Sequence, residues 1–209
     1  MLNKISMMCI FLFNFAFATA DTSSLYLEKG DFSLLFQFTE KFRIKDFQGA
    51  IISAKYLFTN RSAIRIGLSG KYSNSENRQI TSLDEQEFFS INIITQYVYH
   101  ITSKQLSLYT GVGPNFLFDY SSSIKSKRQT TQRDYKEFLN IQGRGWGMGI
   151  NAIIGGEYFV TDFLGVIAEY GVLFEYYYSK IENKIFGSTE KKEYRFDPSL
   201  VKFGFSLNF

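Results

Sequence analysis

The stretch Leu164-Gly165-Val166-Ile167-Ala168-Glu169-Tyr170-Gly171-Val172-Leu173-Phe174-Glu175-Tyr176-Tyr177-Tyr178 decides the fold. Leu164, Val166, Ala168, Tyr170, Val172, Phe174, Tyr176 and Tyr178 share one parity, while Glu169, Gly171 and Glu175 stand among their alternates. A helix separates such alternates only for a turn, whereas a strand does so along its whole length. The C-terminus repeats the pattern, with Val201, Phe203, Phe205, Leu207 and Phe209 set against Lys202, Gly204, Ser206 and Asn208.

Scanning outward by the same rule yields eight strands, about 31–39, 47–58, 63–72, 87–99, 105–120, 145–159, 163–179 and 195–209. The connections after strands two, four and six are short. Those after three, five and seven are long and polar, near 73–86, 121–144 and 180–194. Short and long connections in alternation describe an up-and-down meander with its tight turns on one side. The link near 40–46 is short where a long one is due. Two prolines need accommodation: Pro114 is expected near the outer rim of strand five, and Pro198 near a strand start.

The apolar parity continues through all eight segments, and the other parity is rich in Gly, Ser, Asn and charge. That arrangement needs an apolar solvent outside or a large apolar cavity inside. Aromatic placement chooses the first. Tyr72, Tyr120, Tyr176 and Tyr178 fall at the long-loop ends, and Phe58, Tyr97, Tyr99, Tyr158, Phe163 and Phe209 at the short-turn ends. Two aromatic girdles around an aliphatic band are selected by a bilayer. The fold class is therefore all-β, an eight-stranded antiparallel transmembrane barrel; a soluble, lipocalin-like carrier of an apolar ligand is the alternative.

The 209 residues divide into a leader, 1–20, a short periplasmic segment, 21–30, and the barrel, 31–209. Lys4 precedes an apolar run from Ile5 to Ala18, and Ala18-Thr19-Ala20 fits small-x-small cleavage, with Ala18 and Ala20 as the small residues. Cys9 leaves with the leader, so the mature chain needs no oxidant to fold. With one Cys and one His in the full sequence, no His/Cys metal cluster can be assembled, and no cofactor is expected. Lys plus Arg is 23 against 20 for Asp plus Glu, which gives no reason to expect nucleic acid as a partner.

An eight-stranded barrel is just wide enough for side chains to fill it. Lys55, Arg65, Lys71 and Lys202 are expected inside it against Glu157, Glu169 and Glu175, as an interior ion-pair network that plugs the lumen. Lys55, Arg65 and Glu157 lie close to short turns and should share the periplasmic half, with Arg65 and Glu157 as partners. The alternative is a narrow pathway for ions or small solutes. His100 is expected at a short turn, as an ordinary turn residue. Glu169 and Glu175 are six residues apart on one strand, roughly 20 Å, too far for a shared acid–base site. The loop 121–144 concentrates Lys125, Lys127, Arg128, Arg133, Lys136 and Arg144 and is expected to form a basic collar for lipopolysaccharide phosphates or another polyanion.

Two patches resemble a known family, the small eight-stranded outer-membrane barrels of the OmpA/OmpX type. One is the hairpin Gly155-Gly156-Glu157-Tyr158, Thr161-Asp162, Ala168-Glu169-Tyr170. The other is the end Phe203-Gly204-Phe205-Ser206-Leu207-Asn208-Phe209. The resemblance implies an outer-membrane location in a Gram-negative-type bacterium and a monomer surrounded by outer-membrane lipids. It also implies that Phe203, Phe205, Leu207 and Phe209 form the signal read by the barrel-assembly machinery. The expected role is structural or surface-interacting through the long loops and non-enzymatic. A small pore and, less in keeping with the residues, a lipid-modifying enzyme are the alternatives.

Overall fold

The computed structural model describes residues 28–43, 48–78, 82–103, 105–128, 135–183 and 187–209. The expected leader, Cys9, Ala18 and Ala20 lie outside these residues. Eight strands follow in order: β1 (Phe32–Arg43), β2 (Gln48–Thr59), β3 (Ser62–Arg78), β4 (Ser82–Ser103), β5 (Leu106–Arg128), β6 (Tyr135–Phe159), β7 (Leu164–Asn183) and β8 (Gly187–Asn208). Each pairs antiparallel with its neighbours, and β8 returns to β1 to close the ring. The seam is fastened at the chain end, where the Phe209 N–H donates to the Phe32 carbonyl at 2.8 Å and the Phe32 N–H to the Phe209 carbonyl at 3.1 Å. Just above it Phe36 and Phe205 stack at 5.1 Å between centroids.

The period of two is realised as two surfaces. Ile52, Ile66, Leu68, Val112, Ile150 and Ile154 stand on the outside at about half or more of full exposure, while Ser53, Lys55, Arg65, Gln96, Asn151 and Glu169 are buried within the ring. The tight turns are made by the residues at hand. The Thr59 hydroxyl accepts from the Ser62 N–H at 2.9 Å, and the Thr161 hydroxyl from the Leu164 N–H at 3.1 Å. Both satisfy the turn backbone locally.

Three expectations are corrected. The segments expected as long loops are mostly strand: β3 and β4 run to Arg78 and from Ser82, β5 and β6 to Arg128 and from Tyr135, β7 and β8 to Asn183 and from Gly187. Outside a membrane both faces of a strand meet water, so the apolar alternation stops while the backbone ladder continues. Pro114 is not at the rim. It sits mid-barrel, paired with Ile150 of β6, and the β4–β5 ladder omits the positions between Ile94–Asn115 and Tyr97–Val112 without changing register. The missing proline donor thus interrupts one ladder locally. Pro198 lies eleven residues into β8 rather than near its start, beside a register shift against Gly171–Leu173 of β7. A bulge there absorbs the proline.

Strand lengths are unequal. β1 and β2 have 12 residues each, while β4, β5, β6 and β8 have 22 to 25. The top of the wall is therefore low at β1–β2 and high from β3 round to β8.

Candidate functional site

The lumen is built by register. β2 and β3 place Lys55 directly opposite Arg65, and the carboxylates that neutralise them arrive from across the ring on β6 and β7. Lys55 Nζ lies 2.6 Å from Glu157 Oε2. Arg65 Nη1 lies 2.7 Å from Glu169 Oε2, and Lys202 Nζ lies 2.6 Å from Glu169 Oε1. The expected pairing of Arg65 with Glu157 is corrected: Arg65 takes Glu169, and Lys55 takes Glu157. Glu169 also accepts from Gln37 Nε2 and Tyr109 Oη, each at 3.2 Å. Arg65 Nε donates to Gln96 Oε1 at 2.8 Å, and Gln96 in turn donates to Asn151. All of these groups are buried. Buried charge is stable only when such partners are complete.

Beneath this layer lies something the alternation concealed. Leu35, Leu57, Ala63, Val98, Ile153 and Ile167 form an apolar cluster with Tyr109 and Phe159 inside the ring toward the short-turn end. Each stands on the parity read as polar, and a single aliphatic residue among Ser, Gly and charge does not announce itself. His100 joins this floor. It is a wholly buried strand residue, not a turn residue; Nδ1 is 2.9 Å from Ser107 Oγ and the ring lies 5.4 Å from that of Tyr109.

The remaining members of the expected network part company with it. Lys71 stands over the Phe88 ring at 4.9 Å and meets no carboxylate among the described residues. Glu175 belongs to a second, higher cluster with Arg195, a residue expected at the very start of the last strand. Arg195 Nη1 is 3.6 Å from Glu175, its Nη2 contacts Glu193, and its guanidinium lies 3.5 Å above the Tyr177 ring. Between the two clusters is a cavity of about 240 Å³ lined by Ser69, Lys71, Asn92, Asn115, Asn151 and Lys202 among others. Inward parity of Gln96, Tyr109 and Asn151 was the available signal for the network members that charge alone did not single out.

The described members of the expected basic collar fall on two strands. Lys125 is on β5 and bridges to Asp84 at 3.7 Å, whereas Arg144 is on β6 near the outer aromatic girdle and exposed. Lys127 and Lys136 are opposite one another in the β5–β6 ladder, Arg128 is opposite Tyr135, and Arg133 lies outside the described residues. A strand sends successive side chains to opposite faces and spreads them along its length, so Lys125 and Arg144 do not share one patch. Phe203, Phe205 and Phe209 face outward along the seam.

No family model matches the chain, and no curated protein matches it either. Solved structures do. The outer-membrane protein OprG of Pseudomonas aeruginosa superposes with a TM-score of 0.51 at 12% identity, covering 90% of this chain and 99% of that one. The attachment invasion locus protein Ail of Yersinia pestis (12% identity, TM-score 0.41) covers 87% and 99%. A major outer-membrane protein of Thermus thermophilus (12% identity, TM-score 0.45) covers 86% and 99%. The closed antiparallel ring and the OprG superposition agree: in fold, the chain is a small eight-stranded antiparallel β-barrel like that of the outer-membrane protein OprG.

Proposed function

We propose that the protein is a non-enzymatic, integral outer-membrane barrel with a closed lumen, and that it works through the sheet standing above the outer leaflet. The observation that carries this reading is the shape of the rim. On the side of the low β1–β2 hairpin, β3 has no strand partner beyond Ser69 and β8 none above Lys202 among the described residues. Among the described residues the upper wall is thus an open six-stranded sheet with two free edges. Free edges carry unpaired backbone donors and acceptors and accept an added strand. β8 is defended by inward Lys191, Glu193 and Arg195 and by the Pro198 bulge, whereas β3 from Gly70 to Arg78 has no proline and Lys71 as its one inward charge. The partner that fits is an extended polypeptide segment laid along β3.

The buried floor argues against the pore, since a permeant ion would have to displace paired charges and cross an apolar cluster. It argues against an enzyme too, because His100 has no exposed surface. The test has two arms. Reconstituted protein is expected to give no stable conductance step, and a reproducible step would move the reading to a pore. Cells displaying wild-type protein are expected to bind unfolded or extended polypeptides on a peptide array, with loss of binding on replacing residues 70–78 and 82–88 by a short turn. Equal binding by the shortened protein would reject the outer sheet as the working part.

A further inference from the structure

The cavity of about 240 Å³ inside the ring is lined by polar groups that the rest of the lumen leaves unused. Its floor is the ion-pair layer, where Lys202 is held by Glu169 at 2.6 Å and Asn151 accepts from Gln96 and donates to the Val172 carbonyl at 3.3 Å. Beneath that layer the apolar cluster closes the short-turn side. Thr39 and Gly49 line the cavity where the low β1–β2 wall ends, so a solute reaches it from the outer side.

Three groups in the lining point to a ligand. Asn115 is 1% exposed, and its Nδ2 donates to Glu175 at 3.4 Å, which leaves its Oδ1 buried without a hydrogen-bond partner. Asn92 Oδ1 is buried and unpartnered in the same way. A buried amide oxygen left unpaired is destabilising, and two of them on one cavity are satisfied by a molecule that donates to both. The third group is the Lys71 ammonium, 4.9 Å from the Phe88 ring and paired with no carboxylate among the described residues. The acids near this level are already engaged. Glu175 takes Arg195 and Asn115, and Asp119, level with Lys71 two strands away, is hydrogen-bonded to Tyr177. Asp197, opposite Leu173, also has a partner.

These features narrow the chemistry. The charged residues that line the cavity are both lysines, Lys71 and Lys202. Such a lining repels an ammonium donor but accepts a hydroxyl, and it attracts a carboxylate. Ile94, Leu117 and Leu173 add an aliphatic wall for the C–H face of a ring. At an interior packing density of about 0.75, the volume holds about 180 Å³ of molecule, room for one sugar ring and too little for two.

We propose that this cavity binds a one-ring sugar acid, its carboxylate on Lys71 and its hydroxyls donated to Asn92 Oδ1 and Asn115 Oδ1. The ligand enters and leaves on the outer side, so the site needs no open lumen and is independent of the free β3 edge.

The experiment is a saturation-transfer NMR titration of the full barrel in nanodiscs free of sugar detergents, with glucuronate, glucose, acetate and glycine as probes. Wild type is expected to bind glucuronate in the millimolar range and more tightly than the other three. Glucose lacks the carboxylate, acetate lacks the hydroxyls, and glycine brings an ammonium. Lys71→Gln is expected to weaken glucuronate about tenfold and to leave the weaker glucose binding unchanged. Asn92→Leu and Asn115→Leu should each weaken glucuronate about fivefold. No transfer to glucuronate would mean that the cavity takes water alone and would overturn the proposal. So would equal binding of glucose, acetate or glycine, or unchanged glucuronate binding by Lys71→Gln. A heat-dependent gel shift checks each variant for the closed barrel. Should either asparagine variant lose it, Lys71→Gln, outside the ion-pair layer, decides alone.

Discussion

The lower lumen and the upper wall are made from the same eight strands and obey opposite rules. In the lower lumen, Glu169 is buried beneath Arg65 and Lys202, with no solvent to share the charge. Higher on the same strand, Glu175 meets an Arg195 side chain that is 41% exposed. One strand thus carries two buried carboxylates six residues apart, one paired to enclosed cations and one to a cation that reaches water. The difference shows that a residue's consequence in this barrel is set by its height on the wall as much as by its identity.

The largest expected effect tests the enclosed carboxylate. Glu169→Ala leaves two buried cations without a counter-charge and removes the acceptor for Gln37 and Tyr109. It should destabilise the inserted barrel by about 3–5 kcal/mol, read as a lowered urea midpoint for unfolding from lipid vesicles. A smaller but still clear loss is expected at Gly113→Val. A Cβ there would collide with the Thr95 carbonyl oxygen, where the β5 backbone passes β4 beside the proline interruption. Backbone atoms cannot move aside cheaply, so a loss of about 1–3 kcal/mol should appear in the same unfolding assay.

Glu175→Ala should cost no more than about 1 kcal/mol, because its partner is solvent-screened. A cost matching that of Glu169→Ala would erase the distinction between the two levels. Replacing the β5–β6 tip, residues 123–141, by a short turn should leave the heat-dependent gel shift unchanged; its loss would mean that the outer sheet supports the barrel. The smallest effect is a titration. Hydrogen bonding from Lys180 holds the exposed Glu182 carboxyl below the usual carboxylate range. Any stabilisation from this pair is therefore present above the ordinary glutamate range and fades as pH falls through the depressed value. Carboxyl NMR should place the Glu182 inflection below that of an unpaired glutamate and move it up in high salt, where exposed pairs are screened.

Much of the fold could be read directly. Outward residues such as Ile66, Val112 and Ile154 declared themselves by alternation, because a bilayer on one side and a packed lumen on the other impose opposite chemistry on successive residues. Strand ends could not be read the same way. Above the girdle Ser73, Ser75, Ser121 and Ser123 look like loop residues, yet they lie in paired strands, since the ladder depends on backbone groups common to every residue but proline. The members of the ion-pair layer were mostly legible, but its pairing was not. Lys55 and Glu157 are 102 residues apart and Arg65 and Glu169 are 104 apart, so their meeting depends on the stagger of the closed ring. The apolar floor escaped because Leu57 or Ile167 on a polar parity is visible as a floor only when all the strands are side by side.

The class of structure, the number of strands and which residues face outward are legible in the chain alone. Those follow from local alternation, which each strand carries alone. Tertiary structure decided which cation meets which carboxylate, how Pro114 and Pro198 are absorbed, and where the upper wall is left open. It also brought Arg144, Lys180, Lys192 and Glu190 together on one outward face. These depend on register and relative strand height, which exist only once the sheet has closed on itself.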